Sequence, residues 1–314
     1  MTKHIPYYSE EELTDLDIKA QDIVETLEHL IRGSQANKAW SAPKAVILPP
    51  DGRYIMATLA AMDEPPLAAT KSLILNARNV EIGLPQINGL VTLLNGETGV
   101  PVAIIDGNWV TAIRTAGLSV TAAKYMANPS ASTMGFIGCG VQARSHLKLF
   151  ADMFPLQHIK IFGRGQKNID ALCRAAEDLG LKSCVCETAQ QTVESVDLLV
   201  TSVTHTDVTG PFLSAEWLAA GSFATIVDLA VPWHKNSFST LDRLIIDDLQ
   251  QEASLPNKLA DPADVDGDLS GLVTGKVNGR DHTEDRTAFV FRGHALGDLA
   301  LSALAYRKFE AINR

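Results

Sequence analysis

The stretch from Met134 to Phe150, MGFIGCGVQARSHLKLF, constrains the fold more than any other part of the chain. A short apolar run, typical of a buried strand, is followed by two glycines one residue apart and then by a helical pattern. Further apolar segments at HIKIFG, KSCVCE, DLLVTSV, SFATIVDLA and RLIID follow, with helical stretches between most of them. Apolar strands that alternate with helices predict an α/β fold with a parallel, doubly wound sheet.

The residues from Gly138 to Ala143 match the pattern G-x-G-x-x-A. In such a pattern Gly138 allows a tight turn, Gly140 allows the backbone to approach a pyrophosphate, and Ala143 allows close packing of helix against strand. A purely structural glycine turn is the alternative. The context of strand, turn and helix favours a dinucleotide-binding site.

The second strand of this region ends at Ile161-Phe162-Gly163-Arg164, with Lys167 just beyond. An NAD site usually carries an acidic residue near this end to bind the ribose hydroxyls, and none is present here. A cation suits the 2′-phosphate of NADP, so we predict NADP(H) as the preferred cofactor and NAD(H) as the second choice. The alternative is that Arg164 is an ordinary solvated loop residue.

The first third of the chain has a different pattern. Ser9 and Glu12 form a capping box, and residues 16–31 have helical spacing with Gly33 as the stop. The segment KAVILPPDGRYIMATLA predicts a hairpin around Asp51-Gly52, and the segments after it are also rich in strand formers. We predict an α+β region with a mixed or antiparallel sheet, onto which an amphipathic C-terminal helix, GDLALSALAYRKF, packs.

Two basic residues lie in apolar surroundings. Arg114 belongs to a predicted helix with few charges, where an arginine is costly unless it is paired. It either meets an internal carboxylate or binds a substrate carboxylate with its fork of donors, and the spacing favours neither. Lys71 lies in the apolar strand LAATKSLIL, and its ammonium group either reaches solvent or lines a pocket where it can act as an acid.

The composition excludes several functions. A formal net charge of −10 disfavours nucleic-acid binding. No apolar stretch approaches the roughly 20 residues of a membrane span, and the N-terminus lacks a secretory signal. The histidines and cysteines show no metal-binding spacing, and no nucleophile elbow is present. We therefore expect a cytoplasmic protein without a metal, and without nucleic-acid or membrane partners.

Several motifs together resemble those of the ornithine cyclodeaminase/mu-crystallin family. They are DGNWVTAIRTAGLSVTAAKYM, FIGCGVQARSHLKLF, IKIFGRGQKN and TAFVFRGHALGDLA, together with Lys71 and the segment GLPQINGLVTLLNGETGVPVAIIDG. The resemblance covers nearly the whole chain. It implies a homodimer, with a substrate-binding and dimerisation domain at residues 1–120, completed by a C-terminal helix at 299–314, and a Rossmann domain at 121–298.

The resemblance also implies a basic cluster that binds the carboxylate of an amino or imino acid. Lys71 and Arg114 match that cluster residue for residue. Lys44 stands where the family usually has an arginine, so the charge is kept and the planar fork is lost. Met56 matches a pocket methionine of the family, and Gln86 falls where cyclodeaminases have a small hydroxyl residue.

Ornithine cyclodeaminases carry an aspartate after the strand SFATIVDLAVPW, where it handles the amine of the substrate. Without gaps that position is Ala230 here, and Asp228 lies two residues earlier, on the same face of a strand. Asp228 either replaces the aspartate or meets the nicotinamide ribose or a backbone group. The missing aspartate makes the sequence more similar to the reductases of the family.

We therefore predict an NADPH-dependent reductase that converts cyclic or open-chain imino acids, such as pyrroline-2-carboxylate, into L-amino acids, or the reverse dehydrogenase. The alternatives are a cyclodeaminase with bound NAD and a non-catalytic protein that binds NADPH or a small ligand. The predicted catalytic residues are Lys71, Arg114 and Asp228, and the substrate-binding residues are Lys44, Met56, Lys71, Gln86 and Arg114. The predicted cofactor-binding residues are Thr115, Gly138, Gly140, Val141, Gln142, Arg164, Lys167, Ser202, Val203 and Gly293.

Overall fold

The computed structural model describes residues 4–204 and 210–312, and the chain divides into two units. The first unit comprises Met1–Thr115 and His294–Arg314, and the second comprises Ala116–Gly293. Across the described ranges, no helix combines the length and apolar character that a membrane crossing requires.

The helices and strands are numbered in chain order. The helices are α1 (Glu10–Asp15), α2 (Ala20–Gln35), α3 (Gly107–Met126), α4 (Val141–Met153), α5 (Gln166–Asp178), α6 (Ala189–Val193), α7 (Leu249–Ser254), α8 (Leu269–Val273) and α9 (Ala295–Ile312). The strands are β1 (Tyr7–Tyr8), β2 (Ala39–Ser41), β3 (Ala45–Ile47), β4 (Tyr54–Asp63), β5 (Pro66–Leu75), β6 (Ile87–Asn95), β7 (Pro101–Asp106), β8 (Thr133–Ile137), β9 (His158–Phe162), β10 (Lys182–Val185), β11 (Leu198–Thr201), β12 (Phe223–Ile226), β13 (Arg243–Ile246), β14 (Gly267–Asp268) and β15 (Thr287–Val290).

The first unit is built on a mixed sheet with the strand order β1-β7-β6-β5-β4-β2, and β3 also pairs with β4. The β1–β7 pair is parallel and the other pairs are antiparallel. The predicted hairpin around Asp51-Gly52 is confirmed as β3 and β4. Along β5 the side chains alternate, so that Lys71 is buried while Thr70 and Ser72 are exposed.

The N-terminal helices differ in their bounds from the prediction. Ser9 caps α1 through the predicted capping box, but the next helix is α2, which begins at Ala20 and passes through Gly33. The left-handed conformation that would stop the helix occurs at Asn37, with φ 55°. Asparagine tolerates this conformation, and Gly33 is therefore not needed for the turn.

The expectation of an amphipathic C-terminal helix is wrong. Helix α9 is buried from Ala295 to Ala305 on all of its sides. It contacts α2 and the strands β4, β5 and β6, so its first three turns form part of the core of the first unit. A helix that is apolar all round is typical of this position.

The second unit contains a parallel sheet with the strand order β10-β9-β8-β11-β12-β15-β13-β14. The strands β11, β12 and β15 are buried at every position, and a cluster that includes Ile137, Leu199, Ile226 and Val290 forms the core beside them. From β8 the chain runs outward to β9 and β10 on one side and to β11 and β12 on the other, which is the doubly wound arrangement, and the last strand, β15, lies between β12 and β13. The predicted fold class, a Rossmann-type sheet with a separate α+β unit, is confirmed.

Candidate functional site

The glycine turn of the second unit lies where the strand order reverses. Strand β8 ends at Ile137, between β9 and β11. Gly138 follows with φ 92°, and a Cβ there would lie 2.7 Å from the main-chain oxygen of Ser202. Any other residue would be strained and would clash, so this turn requires glycine. Ligands of doubly wound sheets bind at this kind of switch point.

Helix α4 begins directly after the turn, with Gly140 as its N-cap. No side chain of the described residues caps the helix, and a Cβ at Gly140 would meet none of their atoms within 4 Å. The N–H groups of the first helical turn are therefore accessible to an anion. This geometry fits the pyrophosphate of a dinucleotide.

A cleft of about 560 Å³ opens beside the turn. It is lined by Ile137, Gly138, Cys139, Gly140, Phe162, Gly163, Arg164, Gly165, Asn168, Ser202, Val203, Thr204, Gly210, Pro211 and Phe212. Within the described residues, the hydroxyl of Ser202, which lines the cleft, is buried and has no hydrogen-bond partner. Unpaired buried polar atoms point to a polar ligand, so the residues present fit a dinucleotide.

The predicted cofactor-binding residues are only partly brought together. Those that line the cleft are Gly138, Gly140, Arg164, Ser202 and Val203. Those of the second unit that lie outside its lining are Val141, Gln142, Lys167 and Gly293, whereas Thr115 belongs to the first unit. His205, which the sequence places after β11, lies outside the described residues.

The end of strand β9 carries no acidic side chain. Gly163 follows the strand, and a Cβ there would lie 2.6 Å from the sulfur of Cys139. A larger residue at position 163 therefore requires the thiol to move. The exposed Arg164 is the charged residue in the lining of the cleft at this end.

Lys71 of the first unit is almost fully buried, at 1% exposure. Its Nζ donates to Oδ1 of Asp298 at 2.5 Å and to the hydroxyl of Thr111 at 3.3 Å. The hydroxyl of Thr58 donates to the other oxygen of Asp298 at 2.9 Å. The residues come from β4, β5, α3 and α9, so Lys71 lines the interior and does not extend to solvent.

Arg114 lies in the same cluster, at 9% exposure. Its Nε is 3.2 Å from Oδ1 of Asp298, but Nε and Nη1 make no hydrogen bond to any described residue. Arg114 therefore does meet an internal carboxylate, one of the two alternatives left open by the sequence. Its donors are nevertheless not used up by that carboxylate, so a second acceptor can bind there.

The charged groups of this cluster shift one another's pKa values. Burial lowers the pKa of Lys71 to about 8; Asp298 opposes this shift, and Arg114 and Lys44 add to it. Burial by itself would raise the pKa of Asp298, but the charges of Lys71 and Arg114 outweigh it and the pKa is lowered. Asp298 is thus ionised at neutral pH, and Lys71 is poised to exchange a proton in the neutral to mildly alkaline range.

The remaining predicted substrate residues also belong to the first unit. Met56 is buried on β4, where its Cα partners are Val46 and Leu73. Lys44 is half-buried just before β3, and Gln86 is half-buried just before β6. Their roles stay predictions.

Asp228 lies in the turn after β12 and is buried, at 3% exposure. Its carboxylate accepts hydrogen bonds from the hydroxyl of Thr201 at 3.2 Å and from the main-chain N–H of Val203 at 3.1 Å. Burial raises the pKa of Asp228 to about 6. The next two residues, Leu229 and Ala230, have φ 55° and 56°, in the left-handed region. Asp228 therefore meets a backbone group, and its catalytic role stays a prediction.

Asp298 is the functional candidate that the sequence analysis missed. It lies 227 residues from Lys71 in the chain, so the pairing exists only in the folded unit. A signal was present, since Asp298 is the single acidic residue of the buried stretch ALGDLALSALA in α9. An acid in an apolar helix is costly unless it is paired, as was argued for Arg114.

Comparison with known proteins agrees with this architecture. The model of the ornithine cyclodeaminase/mu-crystallin family matches residues 9–313. The chain belongs to this family. Among described residues no group of three or more histidine, cysteine, aspartate or glutamate side chains is arranged to hold a metal ion.

Individual members of the ornithine cyclodeaminase/mu-crystallin family are distant relatives. The ketimine reductase mu-crystallin of Rattus norvegicus is 27% identical over 227 residues, covering 71% of this chain and 70% of its own. The Thermococcus litoralis Δ1-pyrroline-2-carboxylate reductase, solved with NADH and L-proline, is 22% identical with a TM-score of 0.88 over 98% of each chain. An archaeal alanine dehydrogenase dimer with bound NAD is 24% identical with a TM-score of 0.84, covering 99% of this chain and 97% of that one. The two solved structures share the fold.

Proposed function

We propose that the chain is an NADPH-dependent reductase that converts imino acids into L-amino acids, and that it also catalyses the reverse dehydrogenation. The observation that carries the proposal is the buried cluster of Lys71, Arg114 and Asp298. Two cations share one carboxylate in it, and neither Nε nor Nη1 of Arg114 makes a hydrogen bond to a described residue. A substrate carboxylate supplies both the missing negative charge and the missing acceptor atoms.

In this proposal the first unit binds the substrate and the second unit binds the cofactor. Arg114 and Lys71, with Lys44 beside them, fix the carboxylate, and this fixes the position of the adjacent C=N carbon. Bound NADPH supplies the hydride for that carbon. An imine that arrives protonated needs no acid, and for a neutral imine the ammonium group of Lys71 is the proposed proton donor.

The preference for NADPH is a proposal that rests on the end of β9. Among the described residues that line the cleft there is no carboxylate for the ribose hydroxyls, and Arg164 lines the cleft as a partner for a 2′-phosphate. Two solved relatives contain NADH and NAD, so NADH belongs in every test of the preference. The cytoplasmic location expected from the sequence is compatible with either cofactor.

The surroundings of Asp228 favour the reductase over the cyclodeaminase. A cyclodeaminase needs a carboxylate after β12 that is available to the amine of its substrate. Asp228 instead accepts hydrogen bonds from Thr201 and Val203. The named activity of the rat relative, ketimine reduction, is in line with the same choice.

We also propose that the protein is a homodimer, formed through the outer face of the first sheet. Leu59, Ile74 and Leu90 are 50%, 41% and 45% exposed on neighbouring strands of that sheet, and Trp40 is 46% exposed. An exposed group of large apolar side chains is typical of an interaction surface. A second copy of the chain is the proposed partner, and one of the solved relatives is described as a dimer.

The decisive experiment mixes the purified protein with NADPH, or with NADH, and with single members of a panel of cyclic and open-chain imino acids. Loss of the absorbance of the reduced nicotinamide is the readout. Rapid oxidation of NADPH with one substrate is expected. Tight NADPH binding with no oxidation across the panel would favour the non-catalytic alternative, and ammonia release from ornithine without net cofactor change would favour the cyclodeaminase.

The site assignment is tested by Lys71→Met and Arg114→Gln. Each variant is expected to lose turnover by about 100-fold or more, because the contact with the substrate carboxylate is removed, and to keep its affinity for NADPH, because the cleft of the second unit is unchanged. Lys308→Met is the matched control, since Lys308 also forms an ion pair in the first unit, with Asp22 at 2.7 Å, but near the surface. Turnover in that variant is expected to stay within twofold.

A further inference from the structure

A phosphate-binding helix has to leave its own N-terminus free of side-chain caps, so its position must be fixed from elsewhere. The N-cap of α4 is Gly140, which has no side chain to accept a hydrogen bond from the N–H groups of the first turn. Ordinary helices are held at this end by a capping side chain worth about 1 kcal/mol. In α4 other groups must therefore fix the position of the N-terminal turn.

A continuous chain of buried side chains reaches the first turn of α4 from two other elements. The hydroxyl of Thr225 on β12 contacts the hydroxyl of Ser119 on α3 at 2.8 Å. The Ser119 hydroxyl lies 2.8 Å from Nε2 of His146 on α4, and Nδ1 of His146 lies 2.7 Å from the main-chain oxygen of Gln142. Thr225, Ser119 and His146 are all fully buried.

The direction of every hydrogen bond in this chain follows from its last link. A carbonyl oxygen only accepts, so Nδ1 of His146 carries the proton that is donated to Gln142. Burial lowers the pKa of His146 to about 4, so the ring is neutral and Nε2 is an acceptor. Ser119 therefore donates to His146 and must accept from Thr225. Each of the three hydrogen bonds, from Thr225 to Ser119, from Ser119 to His146 and from His146 to Gln142, therefore has one donor and one acceptor.

We propose that His146 is a positioning residue, which together with Ser119 and Thr225 fixes the first turn of α4 and thereby sets the affinity for the dinucleotide. This inference rests on the proposed function, in which that turn binds the pyrophosphate of NADPH. Gln142 follows the first residue of α4, and its carbonyl is where the chain ends. The His146 ring also stacks on Phe150, with 6.1 Å between the ring centroids.

The protein contains a residue that serves as a closely matched control. Thr287 on β15 is fully buried like Thr225 on the adjacent strand β12, and its hydroxyl donates to the main-chain oxygen of Met126 at 2.9 Å. Thr225→Val and Thr287→Val therefore each remove a threonine hydroxyl from the core of the second unit, and each variant loses one buried hydrogen bond. Only the first of them interrupts the chain to α4.

The experiment measures the dissociation constant of NADPH and the hydrogen exchange of the α4 amides in Ser119→Ala, Thr225→Val, His146→Phe and Thr287→Val. The first three variants are expected to bind NADPH about fivefold more weakly, the equivalent of one net hydrogen bond, and to exchange faster at the start of α4. Thr287→Val is expected to lose comparable stability with unchanged NADPH affinity. The two milder variants, Ser119→Ala and Thr225→Val, keep the test valid if His146→Phe does not fold.

Two results would overturn the proposal. One is an equal loss of NADPH affinity in Thr287→Val, which would mean that any core defect has this effect. The other is unchanged affinity and unchanged exchange in Ser119→Ala and Thr225→Val. A wild-type protein that binds no nicotinamide dinucleotide would contradict the proposed function and the link to the cofactor, whereas binding without imine reduction would contradict the proposed reaction alone.

Discussion

The ammonium group of Lys71 donates a 2.5 Å hydrogen bond to Asp298, a residue 227 positions further along the chain. The same carboxylate oxygen lies 3.2 Å from Nε of Arg114. One buried anion therefore holds two buried cations in place, and the stability of the first unit and its proposed carboxylate-binding site depend on the same side chain.

We expect Asp298→Asn to lower the free energy of unfolding by about 3 kcal/mol or more, because it leaves Lys71 and Arg114 without a counter-charge in the interior. Urea denaturation measures the change. Asp22→Asn is the control, since its ion pair with Lys308 is partly exposed and is worth less than about 1 kcal/mol. Equal losses in the two variants would contradict a central role for Asp298.

Carboxylate binding is expected to weaken as the pH rises through about 8. Burial lowers the pKa of Lys71 to about that value, so the ammonium group is present below pH 8 and is lost above it. A carboxylate ligand without a basic nitrogen should therefore bind with constant affinity near pH 6.5 and more weakly above pH 8, in calorimetric titrations. In Lys71→Arg the charge persists, and the decrease above pH 8 should disappear.

Arg164→Ala is expected to weaken NADPH binding by about 10- to 100-fold and to leave NADH binding within twofold. The reason is the loss of a charge-assisted hydrogen bond to the 2′-phosphate, which NADH lacks. Fluorescence titration with both cofactors measures the ratio. Lys167→Ala is the comparison, because Lys167 lies outside the cleft lining and should have a smaller effect. Equal losses for NADPH and NADH would contradict the assignment of Arg164.

His146 is expected to make the protein sensitive to acid. Its pKa is lowered to about 4 in the folded protein, against about 6.5 for a free imidazole, so the unfolded chain takes up the proton first. The stabilisation that comes from keeping His146 neutral is complete above pH 6.5. It is lost as the pH falls towards 4, and the free energy of unfolding decreases by up to about 3 kcal/mol.

Asp228 changes the free energy of unfolding in the opposite direction over this pH range. Its pKa is raised to about 6, so the folded protein takes up this proton first and is stabilised as the pH falls. The free energies of wild type and His146→Phe should therefore be compared at each pH. A difference between them that does not change from pH 7 to pH 4 would contradict the assignment to His146.

Leu59→Glu and Leu90→Glu are expected to convert the proposed dimer into a monomer, because each places a charge in the apolar outer face of the first sheet. Light scattering after size-exclusion chromatography gives the mass directly. Leu249→Glu is the matched control, since Leu249 is 46% exposed on α7 in the second unit. A wild-type protein that is monomeric, or variants that stay dimeric, would contradict this surface.

Much of the fold could be predicted from local sequence patterns. The glycine turn before α4 and the hairpin around Asp51-Gly52 depend on neighbouring residues, and apolar strands such as β11 and β12 are recognisable because they are buried on both faces. The end of α2 was misplaced because both Gly33 and Asn37 can end a helix, and the sequence does not show which one does.

The candidate site could be predicted only in part. Lys71 and Arg114 were conspicuous because charges in apolar segments are rare, whereas the partner of both residues, Asp298, was hidden by its distance along the chain. The same reason explains why the buried chain through His146 was not anticipated. Ser119, His146 and Thr225 look unremarkable in their own segments, and only the tertiary fold places the Ser119 hydroxyl 2.8 Å from both the Thr225 hydroxyl and the His146 ring.

The unequal number of charges around Asp298 links ligand binding to folding. In the folded protein without a bound carboxylate, the two buried cations Lys71 and Arg114 repel each other and share a single anion. An acid that enters the site removes part of this repulsion, and since the unfolded chain has no such site, the melting temperature should rise with its concentration. A thermal-shift screen of simple carboxylic acids can therefore sort candidate substrates by shape before any reaction has been observed.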